Sequence, residues 1–241
     1  MSDLVLWQYI ATALIFAWTG FVRSGLGFGG AALGLPLLLL VLDDPLVWLP
    51  LIGVHLIFFS SMTVGKRLKH VDWGFARHAI WVMALPMAVG VFGLLTFPAQ
   101  WLVWFVYGLT LFYGFCYLFK YEIQSSSIWV DRLLLVLGGY IAGVSLMGAP
   151  LIAAVAMQRV NHHVVRNTLF VLWFVLVAVK LSVLAYAGVN FWWSVHLWIL
   201  PCAFVGHLLG LKLHEKLVAG DGESFKRVLG GALILVSMVG I

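Results

Sequence analysis

From Leu4 to Ile241 the chain is a succession of apolar stretches, several near twenty residues long, separated by short polar gaps. A helix needs about 20 residues to cross the hydrocarbon layer of a bilayer. Within that layer every backbone N–H and C=O must be satisfied internally, so the spanning element is a helix or a closed barrel. Unbroken apolar runs of this length, without strict alternation, select the helix. Charge agrees: only 10% of residues are charged, against roughly 25% in a soluble domain. The fold class expected is an all-α polytopic membrane protein. Met1-Ser2-Asp3 carries no basic n-region, so no cleaved signal peptide is expected.

The segments read as follows. An apolar stretch, 4–22, is followed by Arg23-Ser24-Gly25-Leu26-Gly27-Phe28-Gly29-Gly30, a second apolar stretch to Leu42, and an Asp43-Asp44-Pro45 turn. Spans are expected at 46–64, 77–97, 101–119, 168–187, 192–211 and 225–241, with a broken stretch at 132–158. Residues 4–42 are too long for one crossing and 132–158 too short for two comfortable ones, with arms of about 10–13 residues. Each reads as a broken hairpin that enters and leaves on one side, as two re-entrant half-helices or as two full crossings, which give the same parity. With that parity, the loops 65–76, 120–131, 159–167 and 212–224 and their edges hold twelve of the fourteen Lys and Arg, and the other side holds none. The positive-inside rule makes the basic side cytoplasmic and puts both termini outside. Trp7, Tyr9, Trp48, Trp101, Trp192 and Trp193 are expected at the outer interface, and Trp73, Tyr121 and Trp129 at the inner one. The net charge of +5 therefore reads as topology and not as a nucleic-acid surface.

The two broken stretches also align. Gly20-Phe21-Val22-Arg23-Ser24-Gly25 through Gly29 lies on Gly139-Tyr140-Ile141-Ala142-Gly143-Val144 through Gly148 at a constant offset. Pro86, Gly90 and Gly93 echo Pro201, Gly206 and Gly210, and Gly108 echoes Gly230 or Gly231. The expected organisation is a first repeat, 1–119, a linker, 120–131, and a second repeat, 132–241. Each repeat is one broken hairpin plus three transmembrane helices. An odd number of net crossings inverts the second repeat, a common transporter plan.

Broken backbone at membrane depth is tolerated where it lines a cavity, and half-helix N-termini attract anions. The candidate substrate site is therefore built from Arg23, Ser24, Gly25, Gly27, Gly29 and Gly30 at the first break and Ser145 and Gly148 at the second. Pro150 suits the first turn of the helix after that break. Arg23 and Lys180 lie within membrane segments with no acid deep in any segment to pair them, so a mobile anion is a reasonable partner; snorkelling is the alternative for Arg23. His55, mid-span, is a candidate for substrate or proton binding, or a helix–helix contact. His196 and His207 are weaker candidates nearer helix ends, and Asn167 is expected to cap a helix. Gly90, Gly93, Gly206 and Gly210 read as close-packing positions, and Cys116 and Cys202 as packing residues. His162-His163 lacks the further ligands a metal site needs. No carboxylate pair, nucleophile–base pair or phosphate loop is present, so no enzyme, cofactor or metal is expected.

Ser24-Gly25-Leu26-Gly27-Phe28-Gly29-Gly30, with Pro36 beyond it, resembles the glycine-rich first motif of the TauE/SafE sulfite exporter family. The family's motif continues with Gly where this chain has Ala31, and in the second copy Ala149 and Pro150 stand in place of glycines. Asn167-Thr168 is similar to the polar start of the family's matching second-half helix. The resemblance implies export of small sulfur-containing anions, sulfite or organosulfonates such as sulfoacetate, from a multi-pass protein of the bacterial inner membrane. The residues alone indicate a small anion in contact with a lipid-embedded protein. They leave open an alternating-access carrier, a channel-like anion pathway and a non-transporting scaffold.

Overall fold

The structure, a computed structural model, describes residues 4–26, 30–65, 67–121, 123–124, 127–219 and 222–241, and the side chains among them except 26 and 213–228. Within these residues the fold is all helix. The helices are α1 (Leu6–Leu26), α2 (Gly30–Val41), α3 (Pro45–Val64), α4 (Trp73–Thr96), α5 (Ala99–Leu118), α6 (Ile128–Ser145), α7 (Ala149–Arg159), α8 (His162–Tyr186), α9 (Trp193–Ala219) and α10 (Gly222–Gly240), with one 3-10 turn at Leu68–His70. Six helices among the described residues, α3, α4, α5, α6, α8 and α9, are long and apolar enough to cross a membrane. Large apolar side chains on them are turned outward, among them Trp81, Leu85, Phe92 and Leu197. In water such a surface would aggregate; in lipid it is the correct exterior. The protein is a multi-pass membrane protein.

Local chemistry sets several boundaries. At the start of α3, Asp44 accepts from the Leu46 N–H at 2.9 Å and Pro45 takes the first helical position, where a missing N–H costs nothing. Asp72 caps α4 through the Phe75 N–H, and its own N–H donates to Thr168 Oγ1. α8 begins six residues before the expected Thr168, and its cap is Asn161, which accepts from the His163 N–H. The expectation for Asn167 is thereby corrected: it is a buried residue inside α8. An earlier Asn with the same chemistry already satisfied the free N–H groups.

The chain packs into two compact units. One comprises Met1–Trp48, Pro98–Glu122 and Trp192–Ile241; the other comprises Leu49–Phe97 and Ile123–Phe191. Each unit draws helices from both sequence halves. In the first unit α1 lies along α9, α5 along α10, and α2 against α1, α5 and α10. Val22, Leu33, Leu229 and Leu233 form a buried cluster there, flanked by Trp18, Phe21 and Tyr117. Trp48, expected at the outer edge, is fully buried, and its indole N–H donates to the Leu42 carbonyl at 2.7 Å. In the second unit α6 lies along α4, and α8 packs on α4 and α7.

The pairings repeat across the sequence halves. The first helix of each half, α1 or α6, lies on the fourth helix of the other, α9 or α4. Glycines make both contacts close. A Cβ on Gly20 would run into the Ala203 carbonyl, and one on Gly206 into that of Ala17. On the other pair, a Cβ on Gly90 would strike the Tyr140 carbonyl, and one on Gly143 that of Met87. Where both helix surfaces are apolar, such small-residue contacts let backbones approach and drive association. Gly93 differs, with the Phe97 ring of its own segment as its neighbour.

Candidate functional site

The first break follows α1. Arg23 lies three residues before the end of that helix and is 5% exposed. α2 returns antiparallel: Gly30 sits against Arg23 and Thr19, Gly34 against Thr19, and Gln8 Nε2 donates to the Val41 carbonyl at 2.9 Å. A Cβ at Gly30 would lie 3.0 Å from the Arg23 Cβ and 3.1 Å from the Thr19 carbonyl oxygen, so α2 begins beside Arg23 because this position has no side chain. The two ends of the hairpin are thus side by side at Gln8 and Val41. Its arms are unequal, 21 and 12 residues. At 1.5 Å per residue, α1 is about 31 Å long and α2 only about 18 Å. Pro36 inside α2 is accommodated beside α5, where Tyr107 Oη donates to its carbonyl at 3.3 Å. Ser24 and Gly25 are buried with Arg23. Gly27 and Gly29 lie outside the described residues.

Ser24 has a partner the sequence did not single out. Its Oγ lies 2.5 Å from His207 Nδ1 on α9. Gly206 and Gly210 bring that helix in: a Cβ on Gly210 would sit 2.9 Å from the Ser24 Cβ. His207 is not near a helix end as expected, because α9 continues to Ala219. The available signal was its position between two glycines four apart, a small-residue face.

The second break repeats the plan with different chemistry. α6 ends at Ser145, Leu146 takes a left-handed conformation (φ 60°), and α7 begins after Gly148 with Pro150 in its first turn. The arms, 18 and 11 residues, are again unequal, where two similar short arms were expected. The open ends are held by Arg159 Nε donating to Asp131 Oδ2 at 2.7 Å. Gly148 sits on the Gly138 carbonyl, a place only glycine fits. Ser145 is fully buried and its hydroxyl donates to the Ile141 carbonyl at 3.1 Å.

Lys180 comes to this break from α8. It is fully buried, and its Nζ donates to the Ala142 carbonyl at 3.3 Å. That oxygen also accepts the Leu146 N–H at 3.1 Å, so α6 does not need the lysine to satisfy it. The ammonium sits near the negative end of the α6 dipole, a favourable place for a cation. Seven residues earlier on the same face of α8, Trp173 Nε1 is buried without a hydrogen-bond partner, as is Ser60 Oγ on α3. His55 is 2% exposed, and its Nδ1 donates to the Leu51 carbonyl of its own helix at 2.7 Å. The structure thus gathers Arg23, Ser24, Gly25 and Gly30 at one break, and Lys180, Ser145 and Gly148 at the other. His55 bonds the Leu51 carbonyl of its own helix, α3.

The described residues hold no cluster of three His, Cys, Asp or Glu that could bind a metal ion. No curated protein and no solved structure matches the chain. A family model described as sulfite exporter TauE/SafE matches residues 12–239, nearly the whole chain, and its proteins are transporters, not enzymes. The match spans both helix breaks, and the chain belongs to the TauE/SafE sulfite exporter family.

Proposed function

We propose that this protein is a secondary transporter that exports small sulfur-containing anions, sulfite or organosulfonates such as sulfoacetate, across the bacterial inner membrane by alternating access. The observation that carries the reading is a buried basic side chain at each helix break: Arg23 in the last turn of α1, and Lys180 with its Nζ on the last turn of α6. An ionised group inside a membrane protein is costly, and its usual use is a substrate or ion pathway. Two turns before Lys180 on α8, Trp173 Nε1 is a buried donor without a hydrogen-bond partner, a group that suits an oxyanion. At the first break Ser24, Gly25, Gly27, Gly29 and Gly30 are the further candidate contacts, and at the second Ser145 and Gly148; His55 on α3 is another candidate.

The matched pairings of α1 with α9 and α6 with α4 support reading 1–119 and 132–241 as inverted repeats joined by 120–131. The lysines and arginines support a cytoplasmic basic side and outward termini. An interior-negative potential favours anion exit by about 2.3 kcal/mol per charge per 100 mV, so the gradient and the potential suffice to drive export. Flux of radiolabelled sulfite and sulfoacetate from proteoliposomes at clamped potential tests the reading. Saturable, potential-dependent flux that shows counterflow and is reduced in Arg23→Ala supports it. The absence of saturable flux from correctly inserted protein overturns the substrate assignment.

A further inference from the structure

The Ser24–His207 pair has a consequence that follows from proton counting. A serine hydroxyl carries one proton, and a neutral imidazole carries one on either Nδ1 or Nε2. When the His207 proton is on Nε2, Nδ1 is an acceptor, and the Ser24 hydroxyl spends its proton on it across the 2.5 Å contact. Oγ then turns only lone pairs toward anything else, which repels an anion. When His207 is an imidazolium, Nδ1–H donates to Oγ instead. The hydroxyl proton is released for another acceptor, and a positive charge stands behind it. Arg23, the preceding residue on α1, is also buried and lies against Gly30 of α2, while Ser24 lies against Gly210 of α9.

We infer that His207 is a positioning residue that sets the hydrogen-bond direction of Ser24, so that protonation of this one imidazole tightens anion binding at the first break. The inference rests on the anion-transport reading above. Binding of the proton and of the anion reinforce one another, as linkage requires. The sign is fixed: affinity is highest at low pH and falls as pH rises through the range where a histidine changes charge. The groups around His207 narrow the assignment. α1, the helix packed along α9, brings Tyr9 and Arg23 as its titratable residues, and the described side chains of α9 add His196, Cys202 and Lys212. His196 is the other imidazole among the described side chains of α9. It lies eleven residues away on α9 with its ring beside Trp193.

Sulfoacetate is the probe, because its charge is constant across neutral pH whereas sulfite itself gains a proton there. Initial rates are measured in proteoliposomes containing the full chain, from about pH 5.5 to about pH 8, at clamped potential. For wild type, KM is expected to rise about tenfold over this range, the worth of one charge-assisted hydrogen bond, with kcat little changed. His207→Asn offers an amide at the Nδ1 position that does not titrate, and its KM is expected to be flat with pH at retained kcat. Ser24→Ala is expected to be flat with a high KM, and His196→Gln to keep the wild-type slope. Saturable wild-type flux with a flat KM, or an unchanged slope in His207→Asn, overturns this inference and leaves the transport reading standing. A slope lost in His196→Gln but kept in His207→Asn reassigns it to the other imidazole. Absence of saturable flux in wild type at every pH overturns both readings.

Discussion

The two helical hairpins, α1–α2 and α6–α7, are the same device built with different side chains. In each, a long helix is followed by a half-length one that returns beside it, and a polar contact holds the open ends. At the first hairpin that contact is an amide on a carbonyl, Gln8 to Val41; at the second it is an ion pair, Arg159 to Asp131. The first carries its cation on its own last turn, as Arg23. The second receives one from α8, as Lys180. Between α1 and α2 the sequence is rich in glycine. The second hairpin places Leu146, which aligns with Gly27, in a left-handed conformation that costs roughly 1–2 kcal/mol for a residue with a Cβ. Leu146 is 7% exposed, and burial of its side chain offsets that strain. The backbone plan is therefore the shared part of the repeat. The polar side chains and the source of the cation are what diverged.

The comparison breaks most visibly at the glycines beneath it. Gly206→Leu and Gly90→Leu push a side chain into a facing backbone carbonyl, where nothing flexible gives way. Each is expected to destabilise by about 3 kcal/mol or more, read as lost monodisperse protein and a lowered melting temperature in detergent. Gly93→Ala meets only a phenylalanine ring and is expected to leave melting nearly unchanged. Equal effects at Gly90 and Gly93 would remove the close-contact account of α4 and α6.

The cations come next. Lys180→Met leaves the Ala142 carbonyl bonded to the Leu146 N–H and removes a buried charge, so stability is expected to hold or rise. Transport is expected to fall at least about tenfold, about 1.4 kcal/mol in the barrier. Arg23→Met is expected to match it in flux. A Lys180→Met protein that transports normally would reduce Lys180 to a helix-end contact and leave the two hairpins functionally unlike.

These expectations show how unevenly the site was legible. The break at Arg23-Ser24-Gly25 could be read because charge and glycine inside an apolar run violate the local rule for a span. Lys180 was visible for the same reason. Its acceptor was not, because Ala142 has no distinguishing side chain and its carbonyl becomes available through the fold. His207 was undervalued because its role depends on α9 reaching α1 through Gly206 and Gly210.

The ion pair that holds the second hairpin gives a smaller effect. Arg159 is half exposed, so Asp131→Asn is expected to cost only about 0.5–1 kcal/mol, diminishing in high salt. Gln8→Leu at the first hairpin is expected to be insensitive to salt. A salt-independent loss in Asp131→Asn would mean that the carboxylate acts through the α6 N-terminus and not through Arg159. Smallest of all is Gly108→Ala. Nothing approaches that position within 4 Å, and helix propensity alone is expected to stabilise by about 0.5–1 kcal/mol.

The sequence by itself determined that this is a helical membrane protein, roughly where its helices run, that two of them are broken, and to which family it belongs. Those properties are local: apolar length, glycine and proline placement, and charge between segments. The tertiary structure alone decided that α1 pairs with α9 and α6 with α4, that each compact unit takes helices from both halves, that hairpin arms are unequal, and that Ser24 meets His207. In water, a helix announces its packed face by an apolar stripe. In lipid both faces are apolar, and partner choice passes to small residues and a few polar contacts whose mates lie far away in the chain.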